Sequence, residues 1–324
     1  MRETSAEAAS IRHLPIALFT TVMGLGGLTI ATEKLEFLLD WHAGLSMMLL
    51  FITAAVWLTV FAAYVTKIIR FPGSVTDELN HPVRLSFFPT TSIGLILIAT
   101  ASYVYFPAFA QGLWWVAVAV QLCFALFILD RWIHREHFST EHNSPAWFIP
   151  IIANLLVPIL GGELGYLEVS YFFFAIGIVF WLPLMAISLN RSFFHAPMPQ
   201  RLLPTLFIFI VPPSIGFTAW TSMHGGQVDD FGRVMYFFGL FMTMMVITQF
   251  RRFIGLPFTI TMWAFSFPLA AITIASFIYY GQVQEVFFLV VAVSLYVVLA
   301  VLVIVLVIKT AVAVARKKVL LPES

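Results

Sequence analysis

The chain has 324 residues, 61% hydrophobic and only 10% charged, with a formal net charge of +1. A soluble domain carries about 25% charged residues, so the composition excludes a water-soluble fold, and a near-neutral balance offers nucleic acid nothing to recognise. The lone cysteine, Cys123, excludes an intrachain disulfide and any cysteine cluster.

Ten apolar spans can be marked, at 14–32, 44–66, 85–106, 112–130, 147–162, 166–189, 202–222, 231–250, 257–280 and 284–308. Most are long enough to cross a hydrocarbon core of about 30 Å at about 1.5 Å per helical residue. The first follows Arg2 and Arg12 but runs into Glu33, Lys34 and Glu36 without a small-residue cleavage site. It therefore reads as a retained helix rather than a signal peptide. The longest polar stretch, Arg131 to Ser144, is only a loop, so residues 1–324 are expected to form a single transmembrane domain.

Basic residues alternate between the loops. Arg2, Arg12, Lys67, Arg70, Arg84, Arg131, Arg135, Arg191, Arg201, Arg251, Arg252, Lys309, Arg316, Lys317 and Lys318 fall on one side, and only Lys34 and Arg233 on the other. The positive-inside rule makes the richer side cytoplasmic, with both termini inside.

The spans also alternate in chemistry. Odd spans carry proline inside or at their basic start: Pro15; Pro82 and Pro89; Pro145, Pro150 and Pro158; Pro204, Pro212 and Pro213; Pro257 and Pro268. Among the even spans only the sixth has one, Pro183. Small and hydroxyl residues follow the same rhythm, with Gly24 in the first span, Ser214 in the seventh and Ser266 in the ninth. Proline frees backbone carbonyls that lipid cannot satisfy, and small residues let backbones approach. The pattern predicts five helix pairs, with odd spans inside around an axis and even spans against lipid. The plainer alternative is that glycine and proline are simply common in membrane helices. On the paired reading, five helix N-termini gather at the cytoplasmic mouth and favour anions there.

No ionisable residue lies near the middle of any span, which argues against a proton relay or an acidic cation filter. The expected pore is uncharged and lined by Ser, Thr, Gly and aromatic groups. All eight histidines fall in loops or at span ends, so paired intramembrane haem ligands are not expected. His134, His137 and His142, with Glu136 and Glu141, cluster in the fourth loop but meet no standard metal spacing. No metal site, cofactor or enzymatic constellation is expected.

Three local features stay ambiguous on the residues alone. His81-Pro82-Val83-Arg84 is either an ordinary helix start capped by Asn80 or a charged element of the mouth. Asn154 either lines the lumen or bonds between helices. Phe267, ahead of Pro268, is one of 34 phenylalanines, and its position alone gives it little distinction.

Several segments are familiar together. Ile68 to Val75 (IIRFPGSV) followed by His81-Pro82-Val83, Phe148 to Asn154 (FIPIIAN), and Trp263 to Phe267 (WAFSF) resemble, in order, motifs of the bacterial TehA tellurite-resistance family. That family includes C4-dicarboxylate transporters and the plant slow anion channels. The resemblance implies a ring of five helical hairpins around a central pore, assembled as a homotrimer with one pore per subunit in the bacterial inner membrane. It also implies that Phe267 is the gate. The chain departs from the bacterial pattern at Leu182-Pro183, at Pro268 after the gating position, and across Met235 to Gly239.

The expectation is therefore an all-α polytopic membrane protein conducting chloride, nitrate or other small anions through a pore occluded by Phe267. Pro15, Gly24, Pro89, Pro150, Asn154, Pro212, Ser214, Ser266 and Pro268 are candidates for lining or kinking it, and His81 and Arg84 for its mouth. The alternative is a proton-linked transporter of C4-dicarboxylates or tellurite.

Overall fold

Ten helices long and apolar enough to cross a membrane are present in the computed structural model, which describes residues 10–41, 43–134 and 143–321. They are span 1 (Ile16–Leu38), span 2 (Leu45–Arg70), span 3 (Arg84–Ser102), span 4 (Pro107–His134) and span 5 (Pro145–Glu163). Span 6 (Leu167–Phe194), span 7 (Gln200–Met223), span 8 (Asp230–Ile247), span 9 (Ile260–Val283) and span 10 (Val286–Ala315) complete the set. No strand occurs among the described residues. The histidine and glutamate cluster of the fourth loop lies, apart from His134, outside the described residues.

Several even spans outrun their apolar stretches, taking in Lys67, Arg70, Arg131, Arg191 and Lys309 at the basic end. Hydropathy marks only the part that contacts hydrocarbon, whereas the i→i−4 ladder continues until something caps it. The second loop holds an additional helix, Pro72–Asn80, where the sequence suggested only a connection. Its start has a simple cause: Pro72 takes the first helical position, where a missing N–H costs nothing.

The alternation in chemistry is an alternation in burial. Between 78 and 94% of the apolar windows of spans 1, 3, 5, 7 and 9 is buried, against 22–39% for the even spans. Each odd span packs on the even span that follows it, and each even span also touches the next odd one, with span 10 returning to span 1. The odd spans touch one another in the order 1, 3, 5, 7, 9, and span 9 meets span 1 again. The even spans turn large apolar residues such as Phe51, Phe172, Phe241 and Ile304 outward.

Polar side chains tie the outer spans to the inner ones. Trp57 of span 2 donates its indole N–H to the Thr91 carbonyl at 3.2 Å, and Trp114 of span 4 donates to the Val157 carbonyl at 3.0 Å. In an apolar medium an unmatched indole N–H is expensive, and these outer-helix donors are met by inner-helix carbonyls. At the sparsely basic end, Glu36 accepts the Leu45 N–H at 2.7 Å and also bonds Ser46, tying the end of span 1 to the start of span 2. A carboxylate at a helix N-terminus is favourable for its orphan donors and its dipole.

Candidate functional site

The five odd spans share a feature that composition could not reveal: each opens as a 3₁₀-helix and then becomes α. The 3₁₀ stretches are Ile16–Phe19, Arg84–Phe87, Pro145–Phe148, Leu203–Ile210 and Ile260–Phe265. The α segments begin at Thr20, Thr90, Ile149, Val211 and Ser266. A 3₁₀ turn is common at a helix N-terminus, but the runs of eight and six residues in spans 7 and 9 exceed the usual three or four. Prolines sit at these changes: Pro89 just before Thr90, and Pro150, Pro212, Pro213 and Pro268 within the first three residues of their α segments. There the absent N–H is tolerated. In span 1, hydroxyls stand in, Thr20 and Thr21 donating to the Ala17 and Leu18 carbonyls at 2.6 and 2.8 Å.

A cavity of about 30 Å³ lies at this level and is bordered by all five odd spans. Met23 of span 1, Phe87 and Ile93 of span 3, Ile152 of span 5 and Val211 of span 7 face it. Span 9 contributes Trp263, Phe267 and Pro268. Phe267 is the second residue of the span 9 α segment and is 5% exposed. The lining is almost wholly apolar; its one hydroxyl, on Thr20, already donates to the Ala17 carbonyl. An ion here would lose its water and find no polar replacement.

The lining differs in character from the hydroxyl-rich pore expected from the sequence. Most hydroxyls of the odd spans bond back to their own helix, as Thr29, Ser214, Thr273 and Ser276 do at 2.7–2.8 Å. Such i−4 bonds satisfy the hydroxyl inside its own helix. Ser266 donates to the Trp263 carbonyl at 2.7 Å and is packed against Gly24, where an added Cβ would lie 2.7 Å from Trp263 Cε3. Asn154 is fully buried; its Nδ2 donates to the Pro150 and Ile151 carbonyls at 3.2 and 2.8 Å, and its Oδ1 has no partner among the described residues. Phe265, two residues from Phe267, points elsewhere and packs edge-on against Phe207 and Phe253, centroids 4.6 and 5.5 Å away.

At the basic end, a second, polar cavity of about 190 Å³ is bordered by Arg12, His13, Pro15, Lys67, Ser74, Asp77, Glu78 and Arg84. His81 is exposed and serves as the cap at the start of span 3: its Nδ1 accepts the N–H groups of Val83 and Arg84 at 3.2 and 3.3 Å. Asn80, the residue expected to cap, ends the short helix instead, and its Oδ1 accepts from Arg131 at 3.2 Å.

Two polar constellations escaped the sequence reading. Lys67 and Glu78, 1% and 4% exposed, form an ion pair at 2.9 Å. The signal was a lysine immediately after an apolar span with a glutamate eleven residues on, but only the short helix brings them together. Gln121 of span 4 is wholly buried, accepts from Ser92 at 2.7 Å and donates to the Pro150 carbonyl at 3.1 Å. A lone amide in the middle of an outer span was its signal.

These elements define an all-helical, multi-pass membrane protein with an inner layer of five irregular helices. The chain belongs to the SLAC1 family of voltage-dependent anion channels, whose family model matches residues 13–311. It is 27% identical over 260 residues to the S-type anion channel SLAH2 of Arabidopsis thaliana, covering 80% of this chain and 50% of that protein. It is 28% identical over 282 residues to SLAH3 of the same plant, covering 84% and 44%. To the tellurite resistance protein TehA homolog of Haemophilus influenzae it is 26% identical over 274 residues, covering 84% and 83%. The chain thus spans about half the length of the plant channels.

Proposed function

We propose that this protein is a gated channel for small anions such as chloride and nitrate, with its pore along the axis of the five odd spans and Phe267 as the gate. One observation carries the reading: a single apolar cavity touches all five odd spans and is walled by Phe267 at the level where each changes helix type. The contacts that return from span 9 to span 1 support a closed ring of five hairpins. The family and the plant relatives support anion transport.

On this reading the barrier is dehydration. An anion reaching the constriction meets aliphatic and aromatic walls, and a narrow apolar passage excludes water and therefore ions. Moving the Phe267 ring widens the passage without introducing a charge. The basic face is cytoplasmic with both termini inside, the membrane is the bacterial inner membrane, and the assembly is a homotrimer with one pore per subunit. Cross-linking in native membranes checks the last point.

The test is anion current in voltage-clamped membranes, comparing wild type with Phe267→Ala and Phe265→Ala across chloride, nitrate and malate gradients. We expect a nearly silent wild type, a conductive Phe267→Ala whose reversal potential follows the anion gradient, and a silent Phe265→Ala. Silence from all three despite verified insertion would overturn the channel reading in favour of a coupled dicarboxylate transporter.

A further inference from the structure

The Glu78 carboxylate sits where a free anion would be well held. Its Oε2 accepts from the Lys67 ammonium at 2.9 Å and from the Tyr64 hydroxyl at 2.6 Å, and its Oε1 accepts the Ile16 N–H at 3.4 Å. Lys67 also donates to the Leu14 carbonyl at 2.8 Å. A cation, a phenol and the first amide of an inner helix therefore converge on one point at the basic end of span 1. This is one of the five helix N-termini expected to favour anions, and a side chain of the protein already answers it.

The surroundings distinguish this arrangement from an ion pair sealed in a core. Lys67, Glu78 and Ser74 border the polar cavity of about 190 Å³, and Arg12 and Arg84 border it as well. Arg12 Nε is held on the Ser74 hydroxyl at 3.1 Å. The bordering cations Arg12, Lys67 and Arg84 outnumber the carboxylates Asp77 and Glu78. Pockets for drug-sized ligands run to about 300–1,000 Å³, so the space suits a halide or a short carboxylate rather than a nucleotide. Glu78 is carried by the nine-residue helix Pro72–Asn80, not by a span, and Pro72, Gly73, Thr76 and Asp77 on that helix are exposed.

We propose that Lys67, Tyr64 and the Ile16 N–H form an anion-binding site separate from the constriction, which Glu78 fills from within and a small anion from the basic face occupies when Glu78 withdraws. The exchange swaps one anion for another at Lys67, so no charge is left unpaired in the interior. Because Leu14 and Ile16 lead directly into span 1, occupancy is coupled to an inner helix; that consequence rests on the channel reading above, whereas the binding site does not.

The experiment is thermal melting of the detergent-solubilised protein in formate, with gluconate at equal ionic strength as the bulky control. Glu78→Ala should be destabilised and then restored saturably by formate at millimolar concentration, but not by gluconate. The double variant Lys67→Met/Glu78→Ala should gain nothing from formate. Wild type should respond only at formate concentrations at least tenfold higher, because Glu78 competes. Should Glu78→Ala fail to fold, Glu78→Gln titrated calorimetrically with formate replaces it, with saturable binding expected. Absence of rescue or binding, or rescue that persists without Lys67, would overturn the site. A wild type indifferent to formate at every concentration would overturn the exchange. Since these readouts need no current, a protein that binds formate but never conducts would overturn only the channel reading.

Discussion

The indole N–H of Trp263 donates to the Thr310 hydroxyl at 2.9 Å, and that hydroxyl donates onward to the Leu306 carbonyl at 2.7 Å. Trp263 borders the apolar cavity, and Thr310 lies on outer span 10. One side-chain bond therefore joins the wall around Phe267 to a helix that faces lipid. Thr310→Val keeps the shape but leaves a buried indole donor unmatched, which costs about 1–3 kcal/mol. A lower melting temperature in detergent, with Thr310→Ser near wild type, is the expected result.

Gly24 is one of two glycines, with Gly27, at which spans 1 and 9 pack too closely for a Cβ. A Cβ there would meet the Ser266 side chain and would lie 2.7 Å from Trp263 Cε3. Gly24→Ala must displace the Trp263 ring, Ser266 or the helix that carries them, and overpacking of this kind costs about 1–3 kcal/mol. Ser266→Gly removes part of the clash, so the double variant should recover part of the loss. Melting temperatures of the two single variants and the double variant close the cycle.

Gln121 joins three spans in the interior of the bilayer, through Ser92 of span 3 and the Pro150 carbonyl of span 5. Gln121→Leu has similar volume but offers neither donor nor acceptor. It should lower stability by about 1–2 kcal/mol, less than a fully orphaned pair would cost, since Ser92 can still donate to the Pro89 carbonyl at 2.8 Å. Chemical denaturation of the solubilised protein reads this directly.

Asp229, outside the spans, caps span 8: it accepts the Gly232 N–H at 2.8 Å and the Trp220 indole N–H at 3.0 Å. The backbone bond from Gly232 first, and then the Trp220 bond and the nearby His224, hold its carboxyl below the usual range. A group whose folded value is depressed contributes stability that is complete above its unfolded value, about 3.9, and is lost as pH falls through the folded value. Melts between about pH 6 and pH 3 should therefore show an acid-side loss in wild type that is smaller in Asp229→Asn. Near neutral pH, asparagine still caps and the two should melt alike.

Much of this fold was legible in the residues because lipid imposes a strict code. Spans must be long and apolar, so hydropathy located all ten, erring only at their ends. Proline and small residues must be kept from lipid, so their concentration in the odd spans foretold which helices are buried. Of the residues singled out in the sequence, Phe267 and Pro268 border the apolar cavity. Its other walls, such as Met23, Phe87 and Ile152, were not legible, because apolar side chains facing an axis look the same in sequence as those facing a neighbouring helix.

The sequence by itself determined the number of spans, the inner and outer layers and the family motifs, since each follows from local composition and the demand that every backbone group in lipid be satisfied. The tertiary structure alone decided where the helices change from 3₁₀ to α, that most hydroxyls turn back onto their own helices, and that Lys67 meets Glu78. Those outcomes depend on which donors and acceptors three-dimensional packing brings within about 3 Å of one another. That proximity has no counterpart in the spacing of residues along the chain.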